Sequence, residues 1–505
     1  MTTDLPAQVA SRTGGDLPVA SRVPLAIGAA VFALLMLLSG RYGFHRDELY
    51  FLDAARHLQG GYVDQPSFAP LLARVSLELF GVSLPGLRVW PALAAWATIV
   101  IAALISRELG GDRRAQVLAA IGTATTPVLL AVDHQEGPTA FDVLAWAALA
   151  LVVVRIGRTG RHKLWLAAGL VLGVGLTNKH SIAFFAIAFS LGTLLSGGRR
   201  DILNRWFLFG ALIAAAFTVP DLVWQARHGW ASVTMTRHLN EENGGLGNVG
   251  SWLGGQLLMT TIPFIPVWIA GLRFLWRSGH PTWRGLTWAY GILFVLFALT
   301  TGAQIYYLTG CYVYLVAAGA IPSARWLARR RTIAVVVVAT AVALPLVLPV
   351  LPARDIGWTY GVNQAQGEMI GWPGFVNQVR AAWLAIPAAQ RRQAVIFTGD
   401  YGEAGAINEL GRGSGLRTAV SGQNNEWWWG PGNPGATTVL AVAPGPRDVT
   451  GYGTYLRTLF GRVRQVATLS NSAGIHNEEW HGHLYLCTDP RRPWGELWAQ
   501  LRHYE

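Results

Sequence analysis

The sequence predicts a polytopic α-helical membrane protein with a C-terminal α/β domain outside the membrane. Of its 505 residues, 52% are hydrophobic and only 13% are charged, about half the charged share of an ordinary soluble chain. Apolar runs long enough to cross a bilayer recur up to residue 353. The tail from residue 354 lacks such runs and contains short β-like segments. These observations exclude a disordered chain and a coiled coil.

The apolar runs predict about eleven transmembrane helices, each close to the roughly 17–25 residues that a bilayer requires. They span residues 23–39, 89–106, 115–132, 138–154, 164–178, 181–198, 206–224, 251–272, 285–303, 304–324 and 332–353.

The net charge of +12 is distributed as membrane orientation requires. Almost all of the excess lies before Arg354, between the apolar runs, so it indicates a lipid bilayer as partner and not nucleic acid. If the N-terminus is inside, every inner loop carries Arg or Lys, whereas the short outer loops carry only Lys179, Arg227 and Arg237. We therefore expect a cytoplasmic tail, a transmembrane domain and an outer domain, with a long first outer loop. Their bounds are 1–22, 23–353 and 354–505, and the loop is 40–88.

The tail predicts an α/β domain. Residues 394–397, 438–442 and 484–486 are short runs of β-branched, aromatic and aliphatic residues typical of buried strands. A helical stretch follows Tyr401.

The first outer loop holds two adjacent acids, Asp47 and Glu48, at the start of a predicted helix over 47–58. Acids in a first turn can simply favour the helix dipole. Holding a carboxylate at the membrane surface beside a cavity costs free energy, which favours a functional role. The sequence leaves both interpretations open.

Several stretches resemble the bacterial protein-mannosyltransferase-like glycosyltransferases, which are glycosyltransferase family 39 of the GT-C superfamily, related to the aminoarabinose transferases. The resemblance rests on the segments His45-Arg46-Asp47-Glu48-Leu49-Tyr50, Gly61-Tyr62-Val63-Asp64-Gln65-Pro66, Thr139-Ala140-Phe141-Asp142, the Gly-rich run 173–179 that ends in a lysine, Ile305-Tyr306-Tyr307-Leu308, Asp400–Ala406 and Trp427–Gly430. The chain departs from the family at Asn178, where Thr-Lys is frequent.

The resemblance implies an inverting glycosyltransferase that moves a sugar from a polyprenyl-phosphate donor to a lipid, cell-wall glycan or protein acceptor on the outer face of the bacterial inner membrane. It implies Asp47 as the base or as the group that orients the acceptor, with Glu48 sharing that role or holding nearby arginines. The leaving phosphate requires cations or donors, for which Lys179, Arg46, Arg41 and Tyr307 are candidates. Candidates for binding sugar or acceptor are His134, Glu136, Asp64 and Gln65.

No cofactor is expected, and no metal site is predicted. The alternative function is a lipid-linked sugar flippase or transporter, which would not need Asp47 for chemistry. Such a protein should show internal repeats or charges within its spans.

Overall fold

The computed structural model describes residues 17–242, 247–300, 304–443 and 449–504. Most of the predicted tail 1–22, and the last three residues of the predicted span 285–303, lie outside these described residues.

Helices dominate the chain up to residue 347. They are α1 (Val23–Leu38), α2 (Arg46–Ala54), α3 (Phe68–Phe80), α4 (Leu84–Glu108), α5 (Arg113–Ala124), α6 (Pro127–Val132), α7 (Pro138–Thr159), α8 (Trp165–Leu176), α9 (Ser181–Leu195), α10 (Arg199–Ile202), α11 (Arg205–Arg227), α12 (Ala231–Glu242), α13 (Gly247–Met259), α14 (Ile265–Arg277), α15 (Pro281–Leu299), α16 (Thr309–Ser323) and α17 (Arg330–Val347).

Within the described residues, six helical segments are long and apolar enough to cross a membrane. They are α4, α7, α11, α15, the segment Ile305–Trp326 that contains α16, and α17. Trp252–Met259 and Ile262–Arg277 would make a seventh span, but they are bent by 91° relative to each other. The prediction of a polytopic helical protein is therefore confirmed, whereas the number of eleven spans is not.

The difference arises because several apolar runs form helices shorter than a bilayer. Val23–Leu38, His162–Leu176 and Ser181–Leu195 are apolar but short. At a rise of about 1.5 Å per residue, the 15 residues of α9 cover roughly 22 Å of a hydrocarbon core that is about 30 Å thick.

The predicted span 115–132 is two helices, α5 and α6, separated at Thr125 and Thr126. Pro127 begins α6, and proline has no backbone N–H with which to continue the preceding helix. The hydroxyl groups of Thr125 and Thr126 instead donate to the carbonyl oxygens of Ile121 and Gly122. The break turns the chain toward the loop 133–137, which contributes to the candidate site.

Helix α16 lies at the centre of the helical region, because residues 309–320 are all buried. Around it, Trp146 stacks on Phe185 with ring centroids 4.7 Å apart. The buried Tyr314 hydroxyl group donates a hydrogen bond to the Leu286 carbonyl oxygen at 3.0 Å.

The tail combines five strands with short helices. The strands are β1 (Ala394–Thr398), β2 (Ala419–Ser421), β3 (Thr438–Ala443), β4 (Phe460–Thr468) and β5 (His483–Pro490). The helices are α18 (Gly357–Tyr360), α19 (Trp372–Ala385), α20 (Ala388–Arg391), α21 (Tyr401–Leu410), α22 (Asn424–Trp429), α23 (Val449–Leu459) and α24 (Trp494–Leu497).

Among the described residues these strands form one sheet of order β2-β1-β3-β5-β4. Strands β2, β1 and β3 are parallel, and β5 and β4 add in antiparallel orientation. The three predicted strands coincide with β1, β3 and β5, and the helix expected after Tyr401 is α21. All residues of β1 and β3 are buried, as expected for central strands covered on both faces.

Candidate active site

The short helix α2 carries both acids of the first outer loop and begins with a capping box. The backbone N–H of His45 donates to Glu48 Oε2 at 2.8 Å, and His45 Nδ1 accepts from the backbone N–H of Asp47 at 3.1 Å. This reciprocal cap satisfies N–H groups that a helix start leaves free. It also holds the two carboxylates in fixed and different directions.

Glu48 points into the protein and is fully buried. Its Oε1 accepts from Arg88 Nε and from the backbone N–H of Glu136, each at 2.9 Å. Its Oε2 accepts from Arg88 Nη2 at 2.7 Å in addition to the cap. A carboxylate with four donors and no access to solvent is an anchor for the loop rather than an available base.

Asp47 points outward, and its side chain keeps 40% of its accessible surface. The Tyr401 hydroxyl donates to Asp47 Oδ1 at 2.8 Å. Oδ2 lies 3.7 Å from His45 Nδ1, too far for a hydrogen bond, and makes none with the described residues. Asp47 thus has one oriented oxygen and one available oxygen.

Asp64 and Gln65 lie in the turn closed by the backbone bond from Tyr62 N–H to the Gln65 carbonyl oxygen. Asp64 is exposed at the surface, and desolvation by the surrounding protein raises its pKa to about 7. Tyr50 donates to Asp64 Oδ1 at 3.0 Å, and the Asp47 charge also acts on it. The Gln65 amide is buried, and neither of its polar atoms has a hydrogen-bond partner among the described residues.

His134 and Glu136 lie in the loop between α6 and α7, and each is only 1% exposed. Neither side chain has a hydrogen-bond partner in the described part of the chain. Burial, helped by Arg88, lowers the pKa of His134. Burial, helped by Glu48, raises the pKa of Glu136. Both side chains are therefore expected to be neutral, and both retain unused hydrogen-bonding capacity that a ligand would satisfy.

Lys179 follows the Gly-rich helix α8 and lies against two aromatic rings. Its Nζ is 5.1 Å from the ring centroid of Tyr306 and 5.0 Å from that of Tyr307. It also contacts Thr139 Oγ1 at 3.4 Å. The Asp47 charge also acts on the Tyr306 hydroxyl group.

Arg46 and Arg41 are committed elsewhere. Arg46 faces acids of the tail, with nitrogen–oxygen distances of 2.6 Å to Glu478 and 3.5 Å to Glu368. The Arg41 guanidinium donates to the carbonyl oxygens of Val350 and Leu351 at 3.2 and 3.3 Å. Arg46 Nε also lies 3.8 Å from Asp47 Oδ1. Of the four predicted phosphate-binding residues, the structure therefore groups Lys179 with Tyr307, places Arg46 among acids that include Asp47, and places Arg41 at other contacts.

A cavity of about 880 Å³ lies beside the loop 133–137 and Tyr306. Its walls are mostly apolar side chains of α6, α13 and α17, and its polar lining includes His134, Gln135 and Tyr306. Sequence reasoning did not assign roles to Arg88, Gln135, Tyr306 or Tyr401. Tyr306 and Tyr401 could have been found because they lie in segments 305–308 and 400–406, which carry the family resemblance. Arg88 could have been found because it directly precedes the apolar run 89–106.

No group of three or more His, Cys, Asp or Glu side chains among the described residues is arranged to hold a metal ion.

The fold defines a polytopic helical membrane protein, and the chain is similar in sequence and structure to glycosyltransferases of the GT-C class. Residues 64–224 match the family described as dolichyl-phosphate-mannose-protein mannosyltransferase. The chain is 25% identical over 295 residues to undecaprenyl phosphate-alpha-4-amino-4-deoxy-L-arabinose arabinosyl transferase 1 of Pseudomonas fluorescens, covering 55% of this chain and 51% of that protein. The chain thus spans about half the length of this curated relative.

Two solved structures share the fold. ArnT from Cupriavidus metallidurans bound to undecaprenyl phosphate superimposes with a TM-score of 0.62 at 14% identity, covering 92% of this chain and 97% of that one. The arabinofuranosyltransferase AftD from Mycobacteria gives a TM-score of 0.53 at 16% identity, covering 95% of this chain and 41% of that one. The resemblance to GT-C glycosyltransferases related to the aminoarabinose transferases is confirmed.

Proposed function

We propose that the chain is an integral-membrane glycosyltransferase that moves a sugar from a polyprenyl-phosphate donor to a hydroxyl group of a lipid, cell-wall glycan or protein acceptor. The observation that carries the proposal is the large apolar cavity whose polar lining includes Tyr306, a residue on which the Asp47 charge acts. An apolar cavity with a few polar groups suits a ligand with a long hydrocarbon chain and a charged head.

The donor's polyprenyl chain would occupy the cavity between α6, α13 and α17. Its phosphate would lie near Tyr306, His134 and Gln135, with Lys179 behind the tyrosine ring. The undecaprenyl phosphate bound by ArnT from Cupriavidus metallidurans supports this class of donor for a protein of the same fold.

Asp47 would act as the general base through its available Oδ2. The acceptor oxygen attacks the anomeric carbon and gives its proton to Asp47, while the bond from that carbon to the phosphate oxygen breaks. The lipid phosphate leaves with the electron pair, and the configuration at the anomeric carbon inverts. General-base assistance of this kind is typically worth about 10²–10⁴-fold in rate.

The leaving phosphate gains negative charge on one oxygen, and Lys179 is the cation best placed to stabilise it. A fixed cation in a site of low dielectric acts more strongly on developing charge than it would in water. Tyr307 holds the ammonium group by a cation–π contact.

The other candidate residues would either hold the first outer loop in place or bind the sugar and the acceptor. Glu48 and Arg88 would anchor the loop. Asp64, Gln65, His134 and Glu136 would bind hydroxyl groups of sugar or acceptor, since three of these four side chains are buried and lack partners among the described residues.

The proposed topology places the N-terminus on the cytoplasmic side of the bacterial inner membrane, and the loop 40–88 and the domain 354–505 on its outer side. In this arrangement 1–22 is the cytoplasmic tail and 23–353 the transmembrane domain. Arg and Lys then concentrate on the inner side, as the positive-inside rule requires.

The test uses the full chain in lipid vesicles, a panel of polyprenyl-phosphate sugars and a membrane extract as acceptor. Sugar transfer and donor binding are measured separately for wild type and Asp47→Asn. Asp355→Asn is the matched control, because that exposed acid lies in the tail beside Arg354.

We expect Asp47→Asn to reduce transfer by about 100-fold or more with donor binding retained, and the control to transfer normally. Normal transfer by Asp47→Asn would refute the assignment of the base. Donor movement across the vesicle membrane without transfer by wild type would refute the enzyme and favour the flippase.

A further inference from the structure

Helix α21 of the tail packs directly on the backbone of α2, the helix that carries Asp47. A Cβ atom at Gly405 would lie 2.6 Å from the carbonyl carbon and oxygen of Leu49. One at Gly402 would lie 2.7 Å from the Cβ of Arg46. Glycine at these two positions allows a helix–helix approach that no larger residue would permit without displacement.

The start of α21 is fixed as firmly as its packing. Asp400 caps the helix by accepting from the backbone N–H groups of Gly402 and Glu403 at 2.5 and 3.2 Å. The backbone N–H of Tyr401 donates to Gln423 Oε1 at 2.7 Å. The first residue of the helix, Tyr401, is therefore held at a defined position facing α2.

The Tyr401 side chain is fixed as well. The ring centroids of Tyr401 and Tyr50 are 4.8 Å apart. The Cζ atom of Arg46 lies 5.6 Å from the Tyr401 ring centroid. Burial and the Asp47 charge raise the pKa of Tyr401. The phenol is therefore protonated at neutral pH and is the donor in the 2.8 Å bond to Asp47 Oδ1.

We propose that Tyr401 is a positioning residue for the Asp47 base, so that the C-terminal domain completes the active site. By occupying Oδ1, the phenol fixes the orientation of the carboxylate and leaves Oδ2 for the acceptor hydroxyl. The proposal rests on the proposed role of Asp47. It gives the C-terminal domain a role in positioning the proposed base.

The first test compares Tyr401→Phe with wild type in the transfer assay. A hydrogen bond to a charged group is worth enough for its loss to lower kcat by about 10-fold to 100-fold. KM for the donor should not change, because the phenol does not line the donor cavity. Tyr455→Phe is the matched control, because Tyr455 is an exposed tyrosine of the same domain.

The split between kcat and KM separates positioning from simple stabilisation. A purely structural tyrosine would lower the yield of folded protein and leave kcat per folded molecule unchanged.

A second measurement does not depend on turnover. Asp47 is accessible, so its carboxyl group can react with a carbodiimide, and peptide mass spectrometry reports the labelled fraction at a fixed pH. The labelled fraction of Asp47 should be larger in Tyr401→Phe than in wild type or Tyr455→Phe, because the phenol no longer covers Oδ1. Equal labelled fractions would overturn the role of Tyr401, whether or not transfer is observed. Normal transfer by Asp47→Asn would instead overturn the proposed function on which the role rests.

Discussion

Two adjacent carboxylates, Asp47 and Glu48, receive opposite surroundings from the same loop. Glu48 is fully buried and bound by Arg88, whereas Asp47 keeps an available oxygen at the surface. The sequence predicts that this pair matters, since two acids begin a helix directly after an apolar run. It cannot say which acid is the anchor, because the deciding partner, Arg88, is 40 residues further along the chain.

Replacing Arg88 with leucine tests the anchor. The substitution leaves Glu48 buried without its cation, which typically costs about 3–5 kcal/mol. We expect a large fall in the thermal unfolding temperature of Arg88→Leu in detergent. Arg74→Leu, which breaks the exposed Arg74–Glu78 pair, should cost about 1 kcal/mol or less. Equal stability of the two variants would show that Glu48 is not held by Arg88.

The raised pKa of Asp64 predicts that the free energy of unfolding depends on pH. Its pKa rises from 3.8 to about 7 on folding, so the folded protein binds this proton more tightly than the unfolded chain. The free energy of unfolding should therefore fall as the pH rises from about 4 to about 7, and the loss is complete above that range. In Asp64→Asn, thermal unfolding at about pH 5 and at about pH 8 should differ less than in wild type. An unchanged difference would contradict the raised pKa.

At the scale of elements, the contact between α2 and α21 decides the geometry of the base. Two glycines, Gly402 and Gly405, bring the helices together, and the capping box at Asp400 fixes where α21 begins. The sequence predicts α21 itself, from the helical stretch after Tyr401. It cannot predict its partner, because Tyr401 and Asp47 are 354 residues apart and no local pattern connects them.

Gly405→Ala tests this contact. The added methyl group would lie 2.6 Å from the Leu49 carbonyl group, so α21 must move away from α2. We expect transfer to fall at least as far as in Tyr401→Phe, by about 10-fold or more. Gly374→Ala is the control, because that helical glycine faces open space. Full activity in Gly405→Ala would mean that close docking of the two helices is unnecessary.

At the scale of the whole molecule, composition predicts a polytopic helical protein because most apolar runs become buried or lipid-facing helices. The run 115–132 fails as a span because Pro127 divides it, and α8 and α9 are too short to cross a bilayer alone. Apolar content alone does not reveal these breaks. The cavity also escapes prediction, since its walls come from α6, α13 and α17, which are distant in sequence.

The proposed topology is tested by labelling with a membrane-impermeant maleimide. The two native cysteines, Cys311 and Cys487, are buried and should give little background. A cysteine replacing exposed Arg462 in the tail should react in intact spheroplasts. One replacing Arg113 at the start of α5 should react only after the membrane is opened. The reverse pattern would place the tail inside.

The proposed mechanism requires Asp47 to accept the proton during sugar transfer from a polyprenyl phosphate. The most direct measurement is single-turnover transfer from donor already bound to the protein, in wild type and Asp47→Asn. We expect wild type to transfer the bound sugar to acceptor, and Asp47→Asn to retain the donor and transfer the sugar at least about 100-fold more slowly. Equal rates of transfer from the two loaded proteins would contradict it.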